Sequence, residues 1–175
     1  MNEKLKLSEL NRMSIEDFKS SKKEDIIVLL DDVRSLHNIG SVFRTCDAMA
    51  TKKLYLCGIT ATPPHREIRK TAIGASESVN WEYQKNAEEV ILKYKALGYQ
   101  IIAIEQTSKA VSLENFQLSN KKVVLIFGNE VNGVKQNLIN ISDLSIEIPQ
   151  WGTKHSLNIS VSTGIILWCI KTQMG

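Results

Sequence analysis

Cysteine is scarce in this chain of 175 residues, and Cys46, Cys57 and Cys169 form no CxxC pair. An odd number of dispersed cysteines argues against a disulfide framework. Each cysteine has apolar neighbours, which predicts buried free thiols in a reducing compartment. Histidine is equally sparse, with three residues, and neither residue type has the spacing of metal ligands. We therefore expect neither a disulfide nor a metal site.

Long apolar runs are also missing. The longest, IIVLL and IILWCI, are far too short to cross a bilayer, and the charged N-terminus has no signal-peptide core. Hydrophobic residues make up 43% and charged residues 23% of the chain, which is ordinary for a soluble globular protein. We expect a cytoplasmic protein. Its formal charge of +3 is compatible with a polyanionic partner without requiring one.

The signatures of several enzyme classes are absent as well. The sequence has no GxGxxG after its first apolar run, no GxxxxGK[ST] and no GxSxG. Dinucleotide oxidoreductases, P-loop NTPases and hydrolases with a nucleophile elbow therefore lose their main support.

Short β-rich runs alternate with helix-length segments from residue 25 onward, which predicts a mainly parallel sheet with helices on both faces. Several runs are continuously apolar, as in strands covered on both sides. Residues 1–24 predict a short helical leader with a cap at Ser14 and Asp17, and residues 25–175 one α/β domain. We expect strands in IIVLLDDV, KLYLCGI, SVNWEY, YQIIAIEQT, KVVLIFGNE and LSIEIP, and helices in GSVFRTCDAMA, REIRKTAIGA, NAEEVILKYKALG, GVKQNLIN and SLNISVSTGIILWCIKTQ.

Polar residues follow the first predicted strand, at the edge where such sheets bind ligands. Asn38 and Gly40 predict a turn, and Arg44 near the helix start has the planar fork that binds phosphate. The alternative is structural, with Asn38 as a helix cap and Arg44 paired with Asp47 on a solvated face.

Two later stretches have the same character. Gly128 would let the backbone pass close to a ligand beside Glu130, although a simple strand-to-helix turn is the alternative. Near the C-terminus, Ser156 predicts the N-cap of the last helix with Asn158 in its first turn. Trp151 is more typical of a packed side chain than of a base-stacking surface.

Taken together and in this order, NIGSVFRTC (38–46), IFGNEVNG (126–133) and IPQWGTKHSLNISVS (148–162) resemble the three motifs of the SpoU/TrmH family of RNA ribose 2′-O-methyltransferases, in the SPOUT superfamily. The resemblance runs from about residue 25 to the C-terminus. It implies S-adenosylmethionine (AdoMet) as cofactor and methylation of a ribose 2′-hydroxyl in tRNA or rRNA, with a tRNA guanosine favoured. It also implies a homodimer and a C-terminal deep trefoil knot, whereas the residues alone predict an unknotted open sheet.

The resemblance also assigns site residues. The catalytic positions are Asn38, Arg44, Glu130, Ser156 and Asn158. The cofactor-binding positions are Gly128, Ile148 and Leu157, with Thr107 expected in the same pocket. For Arg44, electrostatic stabilisation and phosphate anchoring are favoured over a role as base, because a guanidinium pKa is about 12.5 or higher.

RNA binding would rest on the segment HREIRK (65–70), whose basic residues are Arg66, Arg69 and Lys70. The alternative is a cluster of solvated helix charges. The chain is short, so we expect no separate RNA-binding domain and no C-terminal tail of the kind some tRNA-specific members carry. Two further functions stay open: a non-catalytic knotted protein that binds RNA or AdoMet, and a generic nucleotide-binding α/β protein.

Overall fold

The structure is a computed structural model that describes residues 2–174; Met1 and Gly175, the two ends of the predicted leader and domain, lie outside the described residues. Turns of 3-10 helix lie at Leu7–Glu9 and Leu113–Asn115. The α-helices are α1 (Ile15–Ser20), α2 (Leu36–Ala48), α3 (Arg66–Ala72), α4 (Ala75–Ser78), α5 (Ala87–Ala96), α6 (Gln136–Ile141) and α7 (Ile159–Met174). The strands are β1 (Glu24–Asp31), β2 (Thr51–Cys57), β3 (Trp81–Gln84), β4 (Gln100–Ile104), β5 (Val111–Ser112), β6 (Val123–Phe127) and β7 (Leu144–Glu147).

The seven strands form one sheet in the order β3-β2-β1-β6-β4-β7-β5. Every pairing between them is parallel, so the predicted parallel sheet is confirmed. In the centre, Leu29 of β1 lies opposite Tyr55 of β2 and Ile126 of β6. Because the strands are parallel, the loops that follow β1, β6, β4 and β7 all leave from the same edge of the sheet.

Helices cover both faces of the sheet, as predicted. Side chains alternate along a strand, so β1 sends Val28 to one face and Leu29 to the other. The first face packs against α2, α3 and α7, and the second against α5 and α6. Both residues are fully buried, and burying one such side chain contributes about 1.5–3 kcal/mol.

Three details of the helices and strands bear on the predictions. Ser14 caps α1 by accepting from the Asp17 N–H, as expected. The helix predicted across residues 66–75 divides into α3 and α4, because Ile73 and Gly74 adopt left-handed conformations with φ of 48° and 84°. Strand β5 was not predicted, since two residues are too short for an apolar pattern.

All three cysteines are free. Burial raises the pKa of the Cys46 and Cys57 thiols to about 12, so both stay protonated and unreactive at neutral pH. Cys169 is partly exposed on α7, so the prediction that each cysteine is buried is wrong for this one. Among residues 2–174, no helix has the length and apolar composition needed to cross a membrane.

Candidate active site

A cavity of about 660 Å³ opens at the carboxyl edge of the sheet, beyond the ends of β4, β6 and β7. Its walls come from α2, from the loops after those three strands and from the start of α7. The residues that line it are Asn38, Ile104, Glu105, Gln106, Phe127, Gly128, Asn129, Glu130, Val131, Asn132, Gly133, Ile146, Glu147, Ile148, Gln150, His155, Ser156, Leu157, Asn158, Ile159 and Ser162. Its size and mixed lining suit a small molecule with polar and apolar parts.

The loop after β6 closes tightly on itself. Asn129 and Gly133 exchange two backbone hydrogen bonds of 3.0 and 2.9 Å, and the Asn129 side chain accepts from the N–H groups of Val131 and Asn132. A Cβ at Gly128 would lie 2.1 Å from the carbonyl carbon of Gly133, so only glycine fits there. The loop therefore holds a fixed shape at the cavity wall.

The same loop is anchored to the end of β1. The Asn129 amide donates to the Asp32 carbonyl at 2.8 Å. Lys135 lies 2.7 Å from Oδ2 of Asp32 and 3.0 Å from Oδ2 of the buried Asp31. Burial raises the pKa of Asp31, and Lys135 opposes that rise. These contacts hold the loops after β1 and β6 side by side.

The Glu130 carboxylate accepts hydrogen bonds from donors at the N-terminal end of α2. Its carboxylate accepts from the backbone N–H groups of Arg34 (3.0 Å) and Ser35 (2.9 Å) and from the Asn38 side-chain amide (3.2 Å). Partial burial acts to raise the Glu130 pKa, but these donors outweigh it and leave the pKa below its ordinary value. Glu130 is thus an ionised partner for the positive end of the α2 dipole.

Two predictions about helix starts are wrong. The turn expected at Asn38 and Gly40 lies inside α2, because Ser35 is the N-cap and accepts from the Asn38 N–H. Helix α7 starts at Ile159, and the side chain that accepts from its first turn is Asn158, through the Ser160 N–H at 2.9 Å. Ser156 is therefore not the cap, and Asn158 precedes the helix.

A direct hydrogen bond connects the first motif stretch to the third. The Asn158 amide donates to Oδ1 of Asn38 at 3.0 Å. Since Asn38 also donates to Glu130, the three side chains form a continuous chain of hydrogen bonds, called here the Glu130–Asn38–Asn158 relay. One residue of each motif stretch thus takes part in a single network at the cavity.

The segment after β4 contributes two lining residues that were not singled out from the sequence. Glu105 accepts from the Val134 N–H at 2.8 Å, and the Gln106 side chain donates to the His155 carbonyl at 2.7 Å. Both directly follow β4, so the rule that ligands bind beyond strand ends would have identified them. Thr107, which was predicted, is not among the lining residues, and its carbonyl accepts from the Ala110 N–H at 3.1 Å.

The remaining predicted residues divide into two groups. Ser156, Gly128, Ile148 and Leu157 line the cavity. Arg44 is exposed on α2 outside the lining, and Arg66, Arg69 and Lys70 are exposed on α3. Within residues 2–174, no Arg44–Asp47 ion pair forms; the Asp47 carboxylate accepts from the Ser78 hydroxyl instead. His37 and Glu67 connect α2 to α3 at 2.8 Å.

Trp151 contradicts its predicted packed position. It lies in the loop after β7 and is 85% exposed. Every residue from 151 to 158 is exposed. Residues 155–158 of this loop line the cavity, and residues 151–154 do not.

Comparison with known proteins gives consistent results. The family model described as the SpoU rRNA Methylase family matches residues 25–168. A tRNA (guanosine(18)-2′-O)-methyltransferase from Aquifex aeolicus is 34% identical over 158 residues, which cover 87% of this chain and 71% of the relative. The crystal structure of the A. aeolicus TrmH/SpoU tRNA modifying enzyme superposes with a TM-score of 0.81 at 31% identity, over 91% of this chain and 80% of that one. An AdoMet-bound rRNA methyltransferase from Sinorhizobium meliloti has a TM-score of 0.81 at 29% identity, over 88% and 58% of the two chains.

Proposed function

The chain belongs to the SpoU rRNA methylase family, and from this membership we propose that it is an enzyme that methylates a ribose 2′-hydroxyl of tRNA or rRNA with AdoMet. The Glu130–Asn38–Asn158 relay carries the proposal, because it joins the three motif stretches at one cavity. A guanosine in tRNA is the favoured target, as in the A. aeolicus relative. We expect the protein in the cytoplasm, where these RNAs occur.

The cavity fits AdoMet, the molecule bound in the S. meliloti relative. Gly128, Ile148 and Leu157 would hold it, largely through backbone groups, and Thr107 is proposed to lie near its edge. The lining pairs apolar side chains with the carboxylates of Glu105 and Glu147, which suits a cationic ligand that has an aromatic ring. When bound, AdoMet supplies a methyl group activated by its sulfonium.

The protein residues must stabilise the charge that develops on the ribose oxygen. A neutral hydroxyl is a weak nucleophile, so negative charge that develops on its oxygen must be stabilised while its proton leaves. Arg44 would anchor the neighbouring phosphate and stabilise this charge, with the proton passing to a phosphate oxygen or water. A deprotonated Arg44 as base is the alternative. Asn38, Ser156 and Asn158 would hold the ribose, oriented by Glu130.

RNA would also contact α3. Arg66, Arg69 and Lys70 are exposed there, and the 2.8 Å hydrogen bond between His37 and Glu67 connects α3 to α2, which carries Asn38 and Arg44. If the three basic side chains neutralise phosphates, affinity falls as salt rises.

We also propose a homodimer through α7. Val161, Ile165 and Trp168 recur at helical spacing on α7 and are 50, 36 and 63% exposed. The opposite face of α7 is buried in the core against α2. An apolar stripe of this length on a surface helix is typical of a contact with another protein. A second copy of the chain is the proposed partner.

The C-terminal knot is a proposal supported by the path of the chain. Strand β6 lies between β1 and β4, so its loop meets the loop after β1. The chain then forms β7, on the far side of β4, and returns across these loops until Asn158 reaches Asn38. Such a return is the kind of path that passes one segment through another. The leader (1–24) and the methyltransferase domain (25–175) remain the proposed division of the chain.

The test is methyl transfer from labelled AdoMet to total tRNA and, separately, to rRNA, followed by nuclease digestion and identification of the nucleoside. We expect 2′-O-methylguanosine from tRNA. Asn158→Ala is the variant to compare with wild type, because it removes the donor to Asn38. It should transfer little or no methyl group to either RNA. Binding of AdoMet without labelling of either RNA would favour the non-catalytic alternative, and a labelled base would contradict ribose methylation.

A further inference from the structure

Trp151 is 85% exposed, the largest fraction among the large apolar side chains whose exposure the structure describes. Of the other two tryptophans, one is packed and one lies in the proposed dimer contact. Trp81 donates to the Ser76 carbonyl and packs edge-to-face on Phe43, and Trp168 belongs to the apolar stripe of α7. Exposing a whole indole ring forgoes the free energy of burying it. A ring in this position therefore suggests a ligand.

Trp151 is adjacent in sequence to a residue that lines the cavity. Gln150, directly before it, lines the cavity, and so does His155 at the other end of the short loop. The His155 carbonyl accepts from the Gln150 side chain at 3.4 Å, which joins the two ends of the loop, and from the Gln106 side chain at 2.7 Å, which attaches the loop to the segment after β4. Trp151 is the first residue beyond this fastening.

The charge of the loop favours a polyanion. Residues 148–158 contain Lys154 and no carboxylate, so a phosphate backbone meets no negative side chain on this segment. Every nucleobase has a π-face that stacks on an aromatic ring, whatever the sequence of the RNA. Single-stranded RNA, whose unstacked bases are splayed out, is recognised in this way.

We propose that Trp151 is a stacking surface for an unpaired base of the RNA substrate, at or next to the nucleotide whose ribose is methylated. This inference rests on the proposed function. Trp151 is then a positioning residue: the stacked base fixes its ribose at the mouth of the cavity. Because stacking tolerates any base, Trp151 contributes affinity and placement, and the choice of base lies with other residues.

The experiment measures RNA affinity and methyl transfer separately in the full chain. Fluorescence anisotropy with labelled tRNA and an rRNA fragment gives the RNA Kd, with S-adenosylhomocysteine present. Trp151→Ala should weaken binding of the substrate RNA roughly fivefold to a hundredfold, while the Kd for AdoMet stays unchanged. Trp151→Phe keeps a ring and should recover most of the affinity. Thr153→Ala, at an exposed position of the same loop, is the matched control and should bind as wild type.

Three outcomes would overturn the stacking role: unchanged RNA affinity in Trp151→Ala, an equal loss of AdoMet affinity, or a change of oligomeric state on sedimentation, which would make Trp151 a contact between copies. The outcome for the proposed function is independent. Wild type that binds RNA but transfers no methyl group contradicts the function and leaves stacking measurable through the Kd. Active wild type with an unaffected Trp151→Ala variant contradicts stacking alone. Wild type that binds neither RNA contradicts both.

Discussion

The hydrogen-bond partners of Asn38 fix the orientation of its side-chain amide. Glu130 is ionised and can only accept, so Asn38 turns its amide nitrogen to Glu130 and its oxygen to Asn158. Asn158 in turn donates to Asn38 and keeps its own oxygen for the Ser160 N–H. A single carboxylate therefore sets the direction of every hydrogen bond in the relay. That is a strong reason for a charged residue at position 130.

Replacing Glu130 with glutamine tests this directly. Glutamine has one acceptor oxygen where the carboxylate has two, so the donors of Arg34, Ser35 and Asn38 are no longer all satisfied. We expect a loss of about 1 kcal/mol in the free energy of unfolding at pH 7, as for a lost helix cap. Urea denaturation measures it.

The difference in unfolding free energy between wild type and Glu130→Gln should also depend on pH. The folded-state pKa of Glu130 is lowered, so its stabilisation is present above the unfolded-state pKa and disappears as pH falls through the folded-state value. The gap between wild type and Glu130→Gln should persist from pH 7 to about pH 5 and shrink only in stronger acid. A gap that shrinks between pH 7 and pH 5 would contradict an ionised, depressed Glu130.

Replacing Arg44 should lower the rate of methyl transfer without changing the affinity for AdoMet. It lies outside the cavity lining, so Arg44→Ala should leave the Kd for AdoMet near wild type. Loss of a group that stabilises developing charge should lower the rate of methyl transfer about a hundredfold or more. Arg44→Lys keeps the charge without the planar fork and should fall between the two. Full activity of Arg44→Ala would remove this residue from the mechanism.

At the level of helices and strands, the sequence predicted what depends on local pattern. The buried central strands were predicted because they are continuous apolar runs. The start of α2 was misplaced by four residues, since Ser35 caps it and Glu130, 95 residues away in sequence, accepts from its first N–H groups. No local pattern contains a partner at that distance. Glu105 and Gln106 were overlooked although the strand-end rule covers them, so that omission was avoidable.

The close approach of Gly128 to Gly133 predicts that a larger residue at position 128 will destabilise the protein. A methyl group at Gly128 would meet backbone atoms 2.1–2.3 Å away, and backbone cannot move aside as a side chain can. Gly128→Ala should lower the free energy of unfolding by about 1–3 kcal/mol or more and weaken AdoMet binding. Thermal unfolding and titration calorimetry measure both.

Gly152→Ala is the control for that variant, because a Cβ at Gly152 meets nothing within 4 Å. It should unfold and bind AdoMet as wild type. Similar losses in both variants would mean that loop flexibility, and not the contact with Gly133, is what glycine provides.

For the molecule as a whole, composition and sequence pattern predicted the class of fold. They could not predict the order of the strands in the sheet. Strand β6 inserts beside β1 although four strands intervene in sequence. That arrangement depends on contacts between distant segments, such as Asn129 with Asp32. The relay was not predictable for the same reason: motif positions suggested Asn38, Glu130 and Asn158, but not that they bond to one another.

The proposed dimer is tested by placing a charge on α7. Ile165→Lys would bury an unpaired ammonium in the contact and should weaken self-association at least about thirtyfold. Leu92→Lys, at a 48% exposed position of α5, is the matched control and should sediment as wild type. If both variants behave as wild type, the α7 stripe is not where two copies meet.

The hydrogen bond between Asn158 and Asn38 spans 120 residues of sequence, and this has a consequence for biosynthesis. On the ribosome, the walls built by residues 38–133 emerge well before the segment that closes the site. A nascent chain that has not yet released residue 158 therefore lacks the last member of the relay. Such a chain has Asn38 and Glu130 but neither Ser156 nor Asn158, so we expect methyl transfer only after the final helix has packed.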